Sequence, residues 1–394
     1  MKSNSIQFHT INLASFFSQL AIAMINLTLV YHLRYHYNLP SALIGLAAAM
    51  GPTSYLIACL VKGKLSSNLR PRHAIMLSLA GMSGSILLLL SVHHLAITFS
   101  CLFLYGMWMS FLWPHVEEWF SRGKEGEELS KAVNGFNVSW SLGVALSSYL
   151  AGLLIEQSTI LAFLVSIGFF ALVFIGIWTV STLVPAIRMV PSETTHIETS
   201  GLTDRSTPLR FYAWIGIVVL YSGMSIILTI FPLYAHEELL LRESRVGLLL
   251  LIRGVTSCIS FYLLGRFSFW HFRKSLIFLV QALFALLCFS ALRFSSLVFY
   301  GIFFFLFGVL FSFAYTQSIF HGSSGAIRRS TRMIIHEVLL TIGTILGSVG
   351  GGWFYQKFGF ANVLLAVGTF GAVAVGGELL FSIYNQRRFR YNGA

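Results

Sequence analysis

Two charged residues interrupt apolar sequence where charge is expensive. Arg253 lies in LLLLIRGVTS, and Glu337 follows His336 in MIIHEVLLT. A guanidinium surrounded by hydrocarbon costs at least about 2.5–3.5 kcal/mol, so Arg253 is expected to turn away from lipid towards a partner or an anionic ligand. A structural ion pair and direct contact with a solute or coupling ion are the two readings of it. A carboxyl in low dielectric resists charging, which ties its protonation to any movement between environments. Glu337 is therefore the candidate proton carrier, against the alternative of closing an interhelical hydrogen-bond network. His336 points about 100° away around the same helix, so the pair cannot share one narrow cavity. Glu117 and Glu118, in WPHVEEW after Pro114, read either as solvated acids at a helix end or as a carboxylate reaching the mouth of a cavity.

Other chemistries are absent from the pattern. The chain has no nucleotide-binding glycine loop, metal-ligand spacing or nucleophile triad, which argues against an ATP-driven pump, an enzyme, a cofactor or a metal. Cys59, Cys101, Cys258 and Cys288 are isolated within apolar runs and read as buried or lipid-facing thiols.

The elements that hold these residues follow from composition. Of 394 residues, 56% are hydrophobic and 10% charged, with mean hydropathy +0.78. A soluble domain carries about 25% charged residues, so this surface is solvated by lipid. Apolar runs of about 20 residues select helices over the strands of a barrel. The net charge of +12 does not point to nucleic acid, because the basic residues form short clusters between the apolar runs.

The runs predict twelve transmembrane helices, at 8–31, 41–61, 73–93, 95–120, 131–155, 158–184, 210–236, 244–265, 273–291, 296–321, 331–356 and 358–384. Only Lys2 precedes the first, which is too long for a signal h-region, so it is expected to stay in the mature protein. Residues 185–209, rich in Ser and Thr, read as a cytoplasmic linker between six-helix bundles at 1–184 and 210–394. With both termini cytoplasmic, 20 of the 26 Lys and Arg fall on inner segments and five on outer ones. That bias sets the orientation.

The two bundles repeat. Gly45 and Gly63 bracket helix 2 as Gly247 and Gly265 bracket helix 8, and Ser110-Phe111 recurs as Ser312-Phe313, all at an offset of 202. Gly143, Ser147, Ser148, Ala151 and Gly152 of helix 5 match Gly343, Gly347, Ser348, Gly351 and Gly352 of helix 11 at an offset of 200. Asn137 is then the counterpart of Glu337. Paired helices cross in one direction, so the repeat is parallel, with its axis along the membrane normal.

Over its full length the chain resembles the major facilitator superfamily. The family signature after helix 2, close to G-x-L-A-D-R-x-G-R-K, is met by Gly63, Leu65 and Arg72, while Ser67, Asn68 and Arg70 replace its Asp, Arg and Gly. The second-half copy keeps Gly265, Arg273 and Lys274. Helix 5 lacks the proline of the drug/proton antiporters' G-P-x-x-G-G element, and helix 4 lacks their Arg, with only Leu102 and Tyr105 upstream of Gly106. Drug antiport is accordingly not carried over.

The resemblance implies two bundles rocking about a central cavity lined by helices 1, 4, 7 and 10, with helices 2, 5, 8 and 11 in contact. Gln19, Asn26, Trp113, Tyr221, Tyr315 and Gln317 would then line the cavity, Trp113 and Tyr315 as repeat equivalents, and Glu378 on peripheral helix 12 would snorkel to the cytoplasm. An aromatic, weakly polar cavity with one fixed cation suits an amphipathic or anionic organic solute. The expected protein is a monomeric secondary transporter of a bacterial inner membrane, with the solute, the bilayer and protons as partners. A lipid or lysophospholipid flippase of the same fold and a non-transporting receptor or assembly factor are the alternatives.

Overall fold

A computed structural model describes residues 2–61, 70–121, 126–183, 206–325 and 329–391. Gly63 and most of the expected linker lie outside these. The described residues form helices and short turns, in the order α1 (Lys2–Tyr37), α2 (Ser41–Val61), α3 (Pro71–Ser91), α4 (Leu95–Met109), α5 (Trp113–Ser121), α6 (Gly126–Ile155) and α7 (Thr159–Leu183). The order continues with α8 (Leu209–Thr229), α9 (Phe231–Glu237), α10 (Glu243–Arg266), α11 (Lys274–Ser290), α12 (Leu297–Ser323), α13 (Arg329–Ile345) and α14 (Gly351–Tyr391).

Among the described residues, ten helices are long and apolar enough to cross a membrane, and α11 is a shorter apolar helix. The last of the ten runs 54 residues, Thr331–Tyr384, and folds back at Gly359, where φ is 77° and ψ 171°. Only glycine adopts that conformation at low cost. A straight helix of that length would reach about 80 Å, far beyond a hydrocarbon core of about 30 Å.

Helix ends depart from the hydropathy reading for local reasons. α1 runs past 31 to Tyr37, since hydropathy marks where lipid ends rather than where helix ends; the turn comes at Asn38, with φ 48°. Helix 4 divides into α4 and α5. Pro114 cannot donate to the carbonyl four residues back, so a turn at Ser110–Leu112 intervenes and Pro114 becomes the second residue of α5. Pro232 takes the same place in α9, after the break at Ile230. A π-turn, Leu346–Gly350, separates α13 from α14.

The described helices form two compact units. The first holds α1–α7 together with Pro232–Gly254, which is α9 from Pro232 onward and the first half of α10; the second holds α8, Phe231, the rest of α10, and α11–α14. In the first unit α1 packs against α6 and α7, and in the second α8 packs against α12, α13 and α14. Both central helices are apolar on nearly all sides, as buried helices must be.

Each unit repeats one contact of the other. A Cβ on Gly143 of α6 would lie 2.6 Å from the carbonyl oxygen of Phe16, 3.1 Å from the Leu20 nitrogen and 3.3 Å from Gln19 Cβ. A Cβ on Gly343 of α13 would lie 2.9 Å from the Val218 carbonyl oxygen, 3.3 Å from the Ser222 nitrogen and 2.7 Å from Tyr221 Cβ. Phe16, Gln19 and Leu20 correspond to Val218, Tyr221 and Ser222 at the offset of 202 read between other helices, so the internal repeat extends to packing. Backbone-to-backbone approach of this kind drives helix association where lipid provides no hydrophobic force.

Candidate functional site

In the first unit Arg253 is only 4% exposed. Its position on α10 follows from the next residue: Gly254 lies so close to α6 that a Cβ would come 2.6 Å from the Ala145 Cα. Small residues therefore let the helix carrying the guanidinium sit directly on the helix 5 segment. Gln19 is half-buried and Asn26 exposed on an α1 whose residues 20–33 are otherwise buried save for Ala23. Seven residues, two turns, separate the two amides, so they share one face. Asn137 of α6 and Glu117 of α5 are exposed, and half-buried Trp113 meets the edge of Phe136, centroids 6.2 Å apart. Glu117 and Asn137 lie at or near the ends of their spans, whereas Asn26 is mid-span, where an exposed amide is costly against acyl chains, so the Gln19–Asn26 face adjoins water or a ligand.

A second cluster of the first unit was not legible from composition. Tyr35 donates to the Glu243 carboxylate and lies 3.2 Å from Nε2 of His236, which is itself 3.6 Å from Glu243. Arg34 pairs with Glu237 at 2.7 Å, and Tyr31 donates to the Pro232 carbonyl. Nearby, Glu156 accepts from the Ser244 amide (3.1 Å) and hydroxyl. The hydroxyl hydrogen bond is the main influence holding the Glu156 carboxyl below the usual carboxylate range, with the Ser244 amide and Arg242 adding to it. These residues tie α9 and the start of α10 to α1 and to the end of α6. In the sequence Arg34 is one of the five outer basic residues, and its adjacency to Tyr35 just before the α1–α2 turn is the available clue.

In the second unit Tyr315 of α12 collects Phe261, Phe311, Tyr221 and His336, at centroid distances of 5.6, 6.1, 6.4 and 5.2 Å. His336 is 1% exposed, with Nδ1 2.8 Å from the Ser318 hydroxyl. Gln317 is equally buried, and its Nε2 has no hydrogen-bond partner among the described residues. Glu337 is exposed. The expectation of a buried Glu337 is thereby reversed: α13 turns His336 onto α12, and the 100° step carries Glu337 outward.

The expected snorkelling of Glu378 is corrected too. It is 5% exposed, and its Oε2 accepts from Gln281 Nε2 at 3.0 Å, because α11 packs against this face of α14 and supplies an amide deeper than the interface. Of the signature residues, Arg72 is half-buried in α3 and Gly265 is exposed near the end of α10. Arg273 immediately precedes α11 without a side-chain capping hydrogen bond, and Lys274, the first residue of α11, hydrogen-bonds Ser382 of α14.

A family model described as Major Facilitator Superfamily matches residues 11–326. No curated protein matches the chain by sequence. Among solved structures, the chain is similar to the nucleoside transporter NupG, with a TM-score of 0.71, 12% identity, and coverage of 95% of this chain and 98% of that one. It is also similar to a POT family transporter in complex with a thioalcohol-conjugated peptide, at 0.72 and 11%, covering 96% of each chain. A third is a bacterial homologue of the human lysosomal transporter Spinster, inward-facing and unoccupied, at 0.73 and 12%, covering 95% and 96%. At such identities the likeness establishes a shared fold.

Proposed function

Because the chain belongs to the major facilitator superfamily, as the match over residues 11–326 shows, we propose that it is a secondary transporter carrying a small organic solute across a membrane by alternating access. The observation that carries this reading is polar residues left uncovered within apolar spans of each unit: Gln19 and Asn26 in the first, with Glu117 and Asn137 near span ends, and Glu337 in the second. A protein serving only as a membrane scaffold gains nothing from amides and carboxylates at that depth, whereas a water-filled passage requires them.

The solute is an amphipathic or anionic one. Taken each by itself, the first unit holds a buried fixed cation in Arg253, and the second an aromatic wall with polar edges in Tyr221, Tyr315 and His336. The nucleosides and peptides named for similar transporters are small organic molecules of mixed polarity, in keeping with such a cargo. Glu337 is the coupling site for protons: a proton carrier needs a route to water, and Glu337 is exposed. The chain crosses a bacterial inner membrane twelve times as a monomer, with both termini cytoplasmic and bundles at 1–184 and 210–394.

The test is a solute panel presented to proteoliposomes, with uptake and efflux followed with and without a pH gradient. At least one organic anion or amphiphile should move faster than in protein-free liposomes, and Arg253→Ala should abolish that excess. Identical fluxes with and without protein, in both directions, would favour a receptor or assembly factor.

A further inference from the structure

From the geometry of the second unit we propose that the groove between α8 and α14 is a binding site for a lipophilic amine, whose ammonium pairs with Glu378. The groove, of about 560 Å³, is rimmed by Phe211, Val373 and Phe381, which are more than half exposed, with Tyr212 and Glu378 further in. This site is separate from the polar faces assigned to the transported solute and does not depend on that assignment.

Three observations converge. First, Glu378 is 5% exposed, and its Oε1 has no hydrogen-bond partner among the described residues. Gln281, behind it, donates to Oε2 at 3.0 Å and to the Tyr212 carbonyl at 3.3 Å, which fixes the carboxyl with one oxygen unused. Second, no cation among the described residues pairs with Glu378. Lys274 hydrogen-bonds Ser382, one turn along α14, and Arg210 donates to Ser206 and to the Thr207 carbonyl. A buried carboxyl with no cation beside it resists ionising, and a ligand that brings an ammonium stabilises its charged form. Third, the walls are aromatic, and ring faces attract ammonium groups. The protein's own cations already use these rings, the Arg210 guanidinium 4.6 Å from the Phe211 centroid and the Lys274 ammonium 5.6 Å from that of Tyr212.

Depth selects the kind of amine. Glu378 lies six residues inside the end of its span at Tyr384, roughly 9 Å along the helix, and Pro208 immediately precedes the span that begins at Leu209. The groove thus opens near the membrane interface, where an amphiphile keeps its charged group while its apolar body lies along exposed Val373 and Phe381. A free lipophilic amine and the ammonium of an ethanolamine lipid share this chemistry.

The probe is radiolabelled dodecylamine, with dodecanol as its neutral counterpart, on the full chain in phosphatidylcholine nanodiscs, corrected for protein-free discs. Saturable retention of about one dodecylamine per protein is expected. Glu378→Gln, which keeps the shape and removes the charge, should weaken it roughly tenfold or more. Val373→Trp, made at an exposed rim position and so harmless to folding, should block retention by filling the groove. Dodecanol should show no saturable binding. If phosphatidylethanolamine in the disc competes with the amine, the natural occupant is a lipid; without competition, it is a free amine. Equal retention of dodecylamine by wild type and both variants, or saturable retention of dodecanol, would overturn the site.

Discussion

Arg253 and Glu337 carry different weights once placed. Arg253 is buried beside the α6–α10 contact, so its removal leaves a cavity and an uncompensated neighbourhood rather than a bare surface change. Arg253→Ala should lose transport while retaining expression and a monodisperse profile. Arg253→Lys should keep part of the activity, since an ammonium preserves charge but not the planar fork; uptake kinetics in proteoliposomes decide it, and normal transport by the Ala variant would leave the residue structural. Glu337→Gln removes the charge with little change of shape. Accumulation driven by a pH gradient should disappear while solute exchange persists, which uptake and counterflow measured side by side would separate. The sequence identified both residues by the cost of charge among apolar neighbours, yet it assigned burial to the wrong member of the His336-Glu337 pair. Hydropathy cannot show which way a helix is rotated; that depends on Ser318 and Tyr315, eighteen and twenty-one residues upstream of His336.

At the scale of elements, the repeated glycine contact is the most exacting feature. Gly143→Ala and Gly343→Ala each push a methyl against a carbonyl oxygen of the central helix of their unit, at 2.6 and 2.9 Å. Each should destabilise by about 1–3 kcal/mol, the usual cost of overpacking. Gly168→Ala, where a Cβ meets nothing within 4 Å, should be neutral or slightly stabilising. Thermal unfolding of the three variants in detergent ranks them, and equal midpoints would mean that these close approaches are not needed. The pairing of Gly143 with Gly343 was legible from the nearly constant offset between the halves, but their packing on α1 and α8 was not, since sequence spacing does not show which neighbour a glycine meets. The turns were less so. Pro114 announces a kink, but the turn at Ser110–Leu112 and the π-turn at Leu346–Gly350 depend on packing, and the Tyr35–His236–Glu243 cluster joins elements about 200 residues apart.

For the whole molecule, the fold class followed from composition and from run length, since lipid leaves few alternatives to helices. Orientation rests on the distribution of Lys and Arg and is open to direct measurement. A cysteine placed near Thr203 should be labelled only from the cytoplasmic side, and one near Glu238 only from outside; same-side labelling would overturn the helix count and reversed labelling the orientation. The central claim is that the polar face of the spans lines a passage reached from both sides in turn. Asn26→Cys tests it most directly, in a background where the four native cysteines are replaced. A membrane-impermeant thiol reagent should modify this residue from the cytoplasmic face and, separately, from the outer face, and transported solute should slow both reactions. Modification only by a lipid-soluble reagent, with none by the impermeant one from either side, would mean that Asn26 faces lipid and would contradict the account.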